Sequence, residues 1–407
     1  MAENSSENNN LYAARNLIFS IIGIVGSICL IALFLLSFGI NQILGVDISN
    51  MTPTYDLIWF FVFFMLLTIP FLIISIYQVM KKPLPNWLKF PQLKRLHFGV
   101  AIIVWGLVLL ISYLLGLNGS SFWLISPFLK ILAIAIPLML IILYLANQFK
   151  LNNPSRNWGI ISFSVIFTEP ATILLEIILV VIFLIAVGVS GDWSQVIGND
   201  AFVYLQRLMY GMNNPDILSR IVSPFLSEPV ILFIVFSLFS IVIPMFEEIM
   251  KPLALWFINK QNLSAQDGFF YGAITGMVFA LIESVLGLSS FAMDSWVSLS
   301  VVRLGTGILH IFTAALMGWA LTSSWKKDKF GKLIIIYLVC LLIHGAWNFM
   351  AIGISLNDMT AFANYSFYNA VKIIFPVLLV LLAVAMTIAI FRMAKKLTLE
   401  NQPLLYE

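Results

Sequence analysis

The residues best suited to chemistry in this sequence are two adjacent acids and a lysine inside a long apolar run. They belong to MFEEIMKP at 245–252, which lies between the apolar runs FSLFSIVI and LALWFI. A lipid-facing helix carries apolar side chains at such positions, because a charge at the bilayer centre costs roughly 2.5–3.5 kcal/mol on an insertion scale. Glu247, Glu248 and Lys251 therefore indicate a functional site, since a carboxylate can accept a proton, hold a water molecule or bind a metal ion.

Helical spacing predicts how these three charges are arranged. Lys251 follows Glu247 by four residues and Glu248 by three, so at about 100° per residue it projects between the two acids and can pair with either. One acid can then be held by the lysine while the other does chemistry. At a helix surface the same spacing would be an ordinary ion pair, but the apolar surroundings favour a functional role.

Further ionisable side chains follow in the next three apolar stretches. They are Glu283, Arg303, His310 and His344, and Asn348 lies one helical turn after His344. With the first cluster they bring the number of full charges to five, at a gross insertion cost of roughly 15 kcal/mol before any pairing. Such side chains face a bundle interior or a wet cavity. The sequence therefore predicts one polar site bounded by the helices that carry them.

A glycine pattern predicts close helix packing beside Glu283. Gly268, Gly272 and Gly276 recur at four-residue intervals in GFFYGAITG, and small residues at this spacing let a neighbouring backbone approach. On a helical wheel Glu283 projects within about 20° of Gly272 and Gly276. We therefore expect Glu283 to point toward the adjacent helix and away from lipid.

Composition requires that membrane helices position these groups. Of 407 residues, 61% are hydrophobic and 10% are charged, so lipid must be the solvent of the chain. We predict an all-α, polytopic transmembrane helical bundle. The net charge of +3 is too small to indicate a nucleic-acid partner, and the two cysteines, Cys29 and Cys340, are too few for a disulfide framework or a cysteine metal cluster.

About ten spans are predicted when each helix is allotted about 20 apolar residues. Alternate loops and both tails hold 16 of the 22 Lys and Arg residues, so the positive-inside rule places these segments in the cytoplasm. The protein is therefore predicted to be a multi-pass protein of the cell membrane, surrounded by the lipid bilayer, with both termini cytoplasmic. The predicted spans are 17–40, 57–80, 98–117, 124–146, 171–190, 229–258, 267–291, 300–323, 333–353 and 371–391.

Four motifs in this order resemble the PrsW family of intramembrane proteases, within the wider CAAX-processing and bacteriocin-processing membrane protease superfamily. Each motif alone is weak, but their order on successive spans makes the set specific. Ser284 departs from the family pattern, which often has asparagine after the second-motif glutamate. The motifs are EEIMK (247–251), FALIE (279–283), Arg303 followed by HIFTAALMG (310–318), and HGAWN (344–348).

The resemblance implies a glutamic-type endopeptidase that cleaves membrane-protein or membrane-associated peptide substrates. We expect it to need no cofactor, with zinc as the alternative. Glu247 would be the general base that activates a water molecule, with Glu283 and His344 positioning that water, and Glu248 is the alternative base. As a kind of substrate, the family suggests a membrane-tethered regulatory protein such as an anti-sigma factor. The supporting roles implied are oxyanion donors (Asn348 and His310), an orienting pair (Glu248 and Lys251) and a charge partner for a glutamate (Arg303).

The expected division of the chain follows from the spans and the motifs. Ionisable residues are sparse in the first five spans, where Lys130 and Glu176 indicate snorkelling or interhelical hydrogen bonding more than chemistry. The expected regions are a polar cytoplasmic tail (1–16), a five-span membrane region of unassigned role (17–190), an extracytoplasmic loop that is either an interfacial helix or a solvated segment (191–228), the PrsW-like catalytic core (229–353), and the final span with its cytoplasmic tail (354–407).

Two alternatives stay open at this point. A zinc-dependent protease could use Glu247, Glu283, His310 and His344 as ligands, although the sequence has no HExxH motif, which favours the metal-free mechanism. The same charges could instead form the proton relay of a proton-coupled transporter. No echo of the motifs occurs in the first half of the chain, which argues against a transporter repeat, and a non-catalytic scaffold would have no use for the buried charge.

Overall fold

The computed structural model shows a chain built of helices. The described residues are 2–46, 48–116, 124–149, 153–190, 229–257, 263–289, 296–327, 330–357 and 368–400, and no strand occurs among them. Within these ranges, ten helices are long and apolar enough to cross a membrane. The predicted all-α bundle of about ten spans is thereby confirmed. The loop predicted at 191–228 lies outside the described residues.

The helices are numbered here in chain order. Two π-helical turns, Ser164–Thr168 and Leu238–Val242, interrupt otherwise α-helical spans. The α-helical segments are α1 (Ala2–Ile43), α2 (Ile48–Val79), α3 (Arg95–Gly116), α4 (Ser126–Phe149), α5 (Pro154–Phe163), α6 (Glu169–Ser190), α7 (Pro229–Ser237), α8 (Ile243–Met250), α9 (Leu253–Trp256), α10 (Ala265–Leu288), α11 (Trp296–Lys327), α12 (Phe330–Asn357) and α13 (Tyr368–Glu400).

The chain divides into two compact units. The first unit comprises Met1–Pro170, Lys251–Leu333 and Met386–Glu407, and the second comprises Ala171–Met250 and Ile334–Ala385. The first unit therefore contains helices α10 and α11. The second contains α7, α8 and most of α12.

The fifth span begins earlier than the sequence predicts. We expected it at 171–190, after a cytoplasmic loop at 147–168, but the candidate span covers Pro154–Phe183. The predicted start was therefore wrong by 17 residues, which is nearly five helical turns.

The cause of this error is a set of buried polar side chains in α5. Asn157 and Ser162 lower the local hydropathy, yet both are fully buried. The true start has a clear local signal, because Asn153 caps the helix by accepting a hydrogen bond from the Arg156 backbone N–H and a proline follows the cap.

A buried ion pair joins three helices of the first unit. Lys130 on α4 donates to Asp56 on α2 at 2.6 Å and to the carbonyl of Leu288, the last residue of α10, at 3.0 Å. The Lys130 and Asp56 side chains are only 3% and 2% accessible, so each charge must be compensated by the other. Of the two roles predicted for Lys130, the structure shows the interhelical contact.

Helix α10 is packed against α11 through its glycines. The helix starts at a capping box formed by Ser264 and Asp267, which satisfies backbone N–H groups of the first turn. A Cβ on Gly272 would overlap the backbone carbonyl of Ala314, and a Cβ on Gly276 would overlap that of His310. The close approach predicted from the glycine spacing is thereby confirmed, and it brings the α10 backbone against His310.

Gly276→Leu is expected to lower the free energy of unfolding in detergent by about 1–3 kcal/mol or more, because the side chain would force two packed backbones apart. Gly106→Leu on α3 is the matched control, since no atom lies within 4 Å of a Cβ at that position. The control also accounts for the higher helix propensity of leucine. Equal stability of the two variants would contradict the packing described here.

Candidate active site

The two acids of MFEEIMKP lie on a short helix bounded by two interruptions. Helix α8 follows the π-helical turn Leu238–Val242, and Pro252 lies in the turn that ends it. Proline has no backbone N–H to donate, so a helix does not continue through it undisturbed. Glu247 and Glu248 are 6% and 0% accessible. Both carboxylates therefore need polar partners inside the protein.

His344 on α12 lies between these two acids. Its Nδ1 atom is 2.7 Å from Glu248 Oε1, and its Nε2 atom is 3.6 Å from Glu247 Oε2. When the neutral ring donates its Nδ1–H to Glu248, the Nε2 lone pair faces the Glu247 carboxylate. Two acceptors at this distance can both contact one water molecule or one cation that lies beside them.

Two more side chains fix the position of α12 along its neighbours. Tyr337 donates its hydroxyl to the Met245 carbonyl at 3.0 Å, and Asn348 donates its amide to the Phe239 carbonyl at 2.9 Å. Both lie on the face of α12 that carries His344, seven residues before it and four after it. Sequence reasoning missed Tyr337, although its spacing from His344 is a signal that could have found it.

The contact of Asn348 has a cause in the π-helical turn. In an i to i+5 pattern the carbonyl of Phe239 would be paired with residue 244, which is a proline without an N–H. Asn348 supplies the missing donor. One amide hydrogen of Asn348 is therefore committed to the backbone, and its predicted donation to an oxyanion stays a prediction for the other.

In the first unit, Glu283 bridges two side chains of α11. Its Oε1 accepts from Arg303 Nη1 at 2.7 Å, and its Oε2 lies 2.7 Å from His310 Nε2. The Glu283 side chain is 41% accessible, whereas that of His310 is only 2% accessible. The helical spacing predicted that Glu283 faces the adjacent helix, and the family resemblance implied Arg303 as the charge partner of a glutamate. The contact with His310 was not predicted. The carboxylate both orients the imidazole and compensates the guanidinium.

Phe279, the first residue of FALIE, packs between two residues of the predicted site. Its ring centroid lies 4.8 Å from that of His310 and 4.9 Å from Lys251 Nζ. Because Lys251 is fully buried, this cation–π contact is worth roughly 2 kcal/mol. Sequence reasoning gave Phe279 no role, although it lies one turn before Glu283. The predicted pairing of Lys251 with an acid of α8 stays a prediction.

The structure therefore brings the predicted residues together in two clusters, one in each unit. The cluster of the second unit contains Glu247, Glu248 and His344, with Asn348 one turn away, and that of the first unit contains Glu283, Arg303 and His310, with Lys251 held through Phe279.

The donor atoms of the second unit's cluster fit a metal ion. A carboxylate oxygen and an imidazole nitrogen that both bind a tetrahedral zinc at about 2.0–2.1 Å lie roughly 3.3 Å apart. The Glu247 oxygen and the His344 nitrogen are separated by 3.6 Å, which is close to that value.

A comparison with known families matches the segment that carries all of these residues. Residues 208–387 match the family model described as the PrsW family intramembrane metalloprotease. No curated protein and no solved structure matches the chain.

Proposed function

We propose that this chain, whose residues 208–387 match the PrsW family model, hydrolyses peptide bonds of membrane-embedded substrates with a metal-assisted water. One observation carries the proposal: the His344 ring is bonded to Glu248 through Nδ1 while its Nε2 faces Glu247. A histidine that binds zinc commonly donates its other ring N–H to a carboxylate in this way.

The proposed ligands are Glu247 and His344 of the second unit, which are buried side chains with an oxygen and a nitrogen donor. A catalytic zinc site keeps one position open for water beside its protein ligands. When bound, the ion would lower the pKa of its water to about 7 and polarise the scissile carbonyl.

Two carboxylates outside this ligand set orient the imidazoles. Glu248 holds His344 at Nδ1, and Glu283 holds His310 at Nε2. Each bond fixes the plane and the tautomer of its ring. Arg303 forms an ion pair with Glu283, so the carboxylate that contacts the ring is held by a charged partner.

The same geometry supports a second mechanism for the same reaction. Glu247 and His344 are close enough to bind one water molecule together. Glu247 would then accept the proton of that water as a general base while His344 positions it. The tetrahedral oxyanion would be stabilised by donors such as His310 and Asn348. This is the metal-free mechanism that the sequence favours.

Metal analysis of the purified protein distinguishes the two mechanisms. We expect about one zinc ion per chain, because each chain has one such site, and loss of most of that zinc in His344→Ala. The matched control is His97→Ala, because His97 is exposed and belongs to neither cluster. Cleavage of a single-span substrate in proteoliposomes should stop with a chelator and return with zinc.

The outcomes separate the mechanisms and test the function itself. Full cleavage by protein that holds far less than one ion per chain would establish the glutamate mechanism without metal. Sequencing the cleaved ends would identify the bond that is hydrolysed. Proton-coupled uptake by the same proteoliposomes without any cleavage would instead establish a transporter.

A further inference from the structure

A cavity of about 450 Å³ in the first unit contains none of the residues of the proposed site. Its walls come from α1, α2, α5 and the segment Ala254–Phe257. Its volume lies in the usual range for sites that bind small molecules. The cavity is therefore large enough for a small-molecule ligand, and the chemistry of its lining residues indicates the class of that ligand.

One part of this lining is polar and positively charged. Arg15 on α1 and Arg156 on α5 both line the cavity, together with Asn16 and Ser155. No acidic side chain occurs among the described residues of the lining. Guanidinium groups bind phosphate oxygens with paired N–H donors, so the lining is complementary to a phosphate group.

Both arginines are placed by contacts within the first unit. Arg156 hydrogen-bonds to the Tyr271 side chain, and its backbone N–H is bonded to the Asn153 cap. Arg15 lies over the Tyr12 ring, with its guanidinium carbon 5.0 Å from the ring centroid. A guanidinium has five N–H donors, so these contacts leave donors for a ligand.

The remaining lining is apolar and continues onto a second groove. Phe71 and Phe163 form part of the cavity wall. A groove of about 360 Å³ along α1 shares Arg15 and Phe19 with the cavity and is also lined by Ile18 and Ile22. Both isoleucines are more than half accessible, so in a membrane this groove meets lipid chains. A charged pocket next to an apolar groove fits a phospholipid better than a soluble anion.

The sequence places this cavity at the cytoplasmic end of the helices. The tail before residue 17 and the stretches 147–168 and 259–266 were predicted on that side from their Lys and Arg residues, although the structure places Pro154–Phe163 of the second stretch in α5. Arg15 and Asn16 of the tail line the cavity, together with Ser155 and Arg156 in the first turn of α5 and Phe257 just before the third stretch. Their meeting at one cavity is consistent with that orientation.

We propose that this cavity binds the headgroup of an anionic phospholipid of the cytoplasmic leaflet. The lipid phosphate pairs with Arg15 and Arg156, and one acyl chain lies along Ile18 and Ile22 in the groove of α1. Basic pockets between membrane helices on this side are suited to such headgroups. The site is independent of the proposed protease mechanism, because it uses none of its residues.

Lipid retention measured by native mass spectrometry tests this proposal. The full-length protein is titrated in detergent with phosphatidylglycerol, phosphatidylcholine with the same chains, or inorganic phosphate. We expect retention of phosphatidylglycerol only. Each arginine is worth roughly fivefold in affinity, so Arg15→Gln/Arg156→Gln should bind it roughly 30-fold more weakly. Arg15→Gln alone should show the fivefold loss even if the double variant folds poorly.

Arg392→Gln/Lys395→Gln is the matched control, because it removes two charges from exposed positions on α13 that do not line the cavity. The control should bind phosphatidylglycerol like the wild type. Equal losses in the two double variants would overturn the proposal in favour of a general charge effect. Equal retention of phosphatidylcholine would show that the headgroup is not recognised, and saturable binding of inorganic phosphate would show a soluble anion as the ligand.

Discussion

Glu247→Gln is expected to lower the rate of substrate cleavage by roughly 10²–10⁴-fold, the range that general acid–base catalysis supplies. The amide keeps the shape of the side chain and its capacity to hydrogen-bond, but it cannot take up a proton at neutral pH and is a weaker metal ligand. The position matters because Glu247 Oε2 faces His344 Nε2. The measurement is the initial rate of cleavage of a single-span substrate in proteoliposomes.

Glu248→Gln is the matched comparison, since it makes the same chemical change on the next residue. Glu248 accepts from His344 Nδ1 at 2.7 Å, and an amide oxygen can still accept that bond without the charge. We expect a loss of roughly 10–100-fold, typical for a carboxylate that orients a histidine, together with lower stability in detergent.

The two variants together decide the assignment. The reverse pattern would make Glu248 the residue at the reacting water and Glu247 its support. Wild-type cleavage by both variants would show that neither acid takes part in the reaction, and it would refute the active site proposed here. The family resemblance implied that Glu248 forms an orienting pair with Lys251 or is the alternative base, and His344 is a partner of Glu248 that the structure adds.

Lys130→Met is expected to lower the free energy of unfolding by about 3–5 kcal/mol, because it leaves Asp56 buried without its counter-charge. The same substitution removes a hydrogen bond to the last carbonyl of α10. Denaturation in mixed detergent micelles measures the change. Lys396→Met serves as the control, because its contact with Glu400 is exposed and 3.9 Å long, and exposed pairs of this kind contribute about 0–1 kcal/mol.

The double variant Lys130→Met/Asp56→Leu is expected to recover most of that loss, since replacing a whole buried ion pair by apolar groups is often neutral. The recovery separates an uncompensated charge from lost packing. If the double variant were as unstable as Lys130→Met, the cost would come from packing around Lys130 and not from Asp56.

The sequence was sufficient for features that repeat along one helix. Ten spans could be counted because a membrane helix is a long run of apolar residues. The glycine spacing of α10 and the direction of Glu283 could be predicted because both follow from the angle between successive residues on one helix. Buried polar side chains defeat the same reasoning, and Asn157 in α5 hid the start of the fifth span.

Pairings between distant helices could not be predicted in this way. Glu248 and His344 are 96 residues apart, and Asp56 and Lys130 are 74 residues apart. A single sequence gives the face of each helix but not the helix that it meets. The π-helical turn beside α8 could not be predicted either. Such a turn inserts one extra residue, so the residues after it face a different direction from the one that regular helical spacing predicts.

The packing of α10 also bears on how the protein enters the membrane during synthesis. Of the ten candidate spans among the described residues, α10 and α11 have the lowest mean hydropathy. In α10, 89% of the 18-residue stretch used for this comparison is buried inside the protein. Such helices partition poorly into lipid one at a time, because each carries a charge into the hydrocarbon. The bond between Glu283 and Arg303 neutralises both charges when the helices move together. We therefore expect α10 and α11 to leave the translocon as a helical hairpin, received by spans that are already in the bilayer.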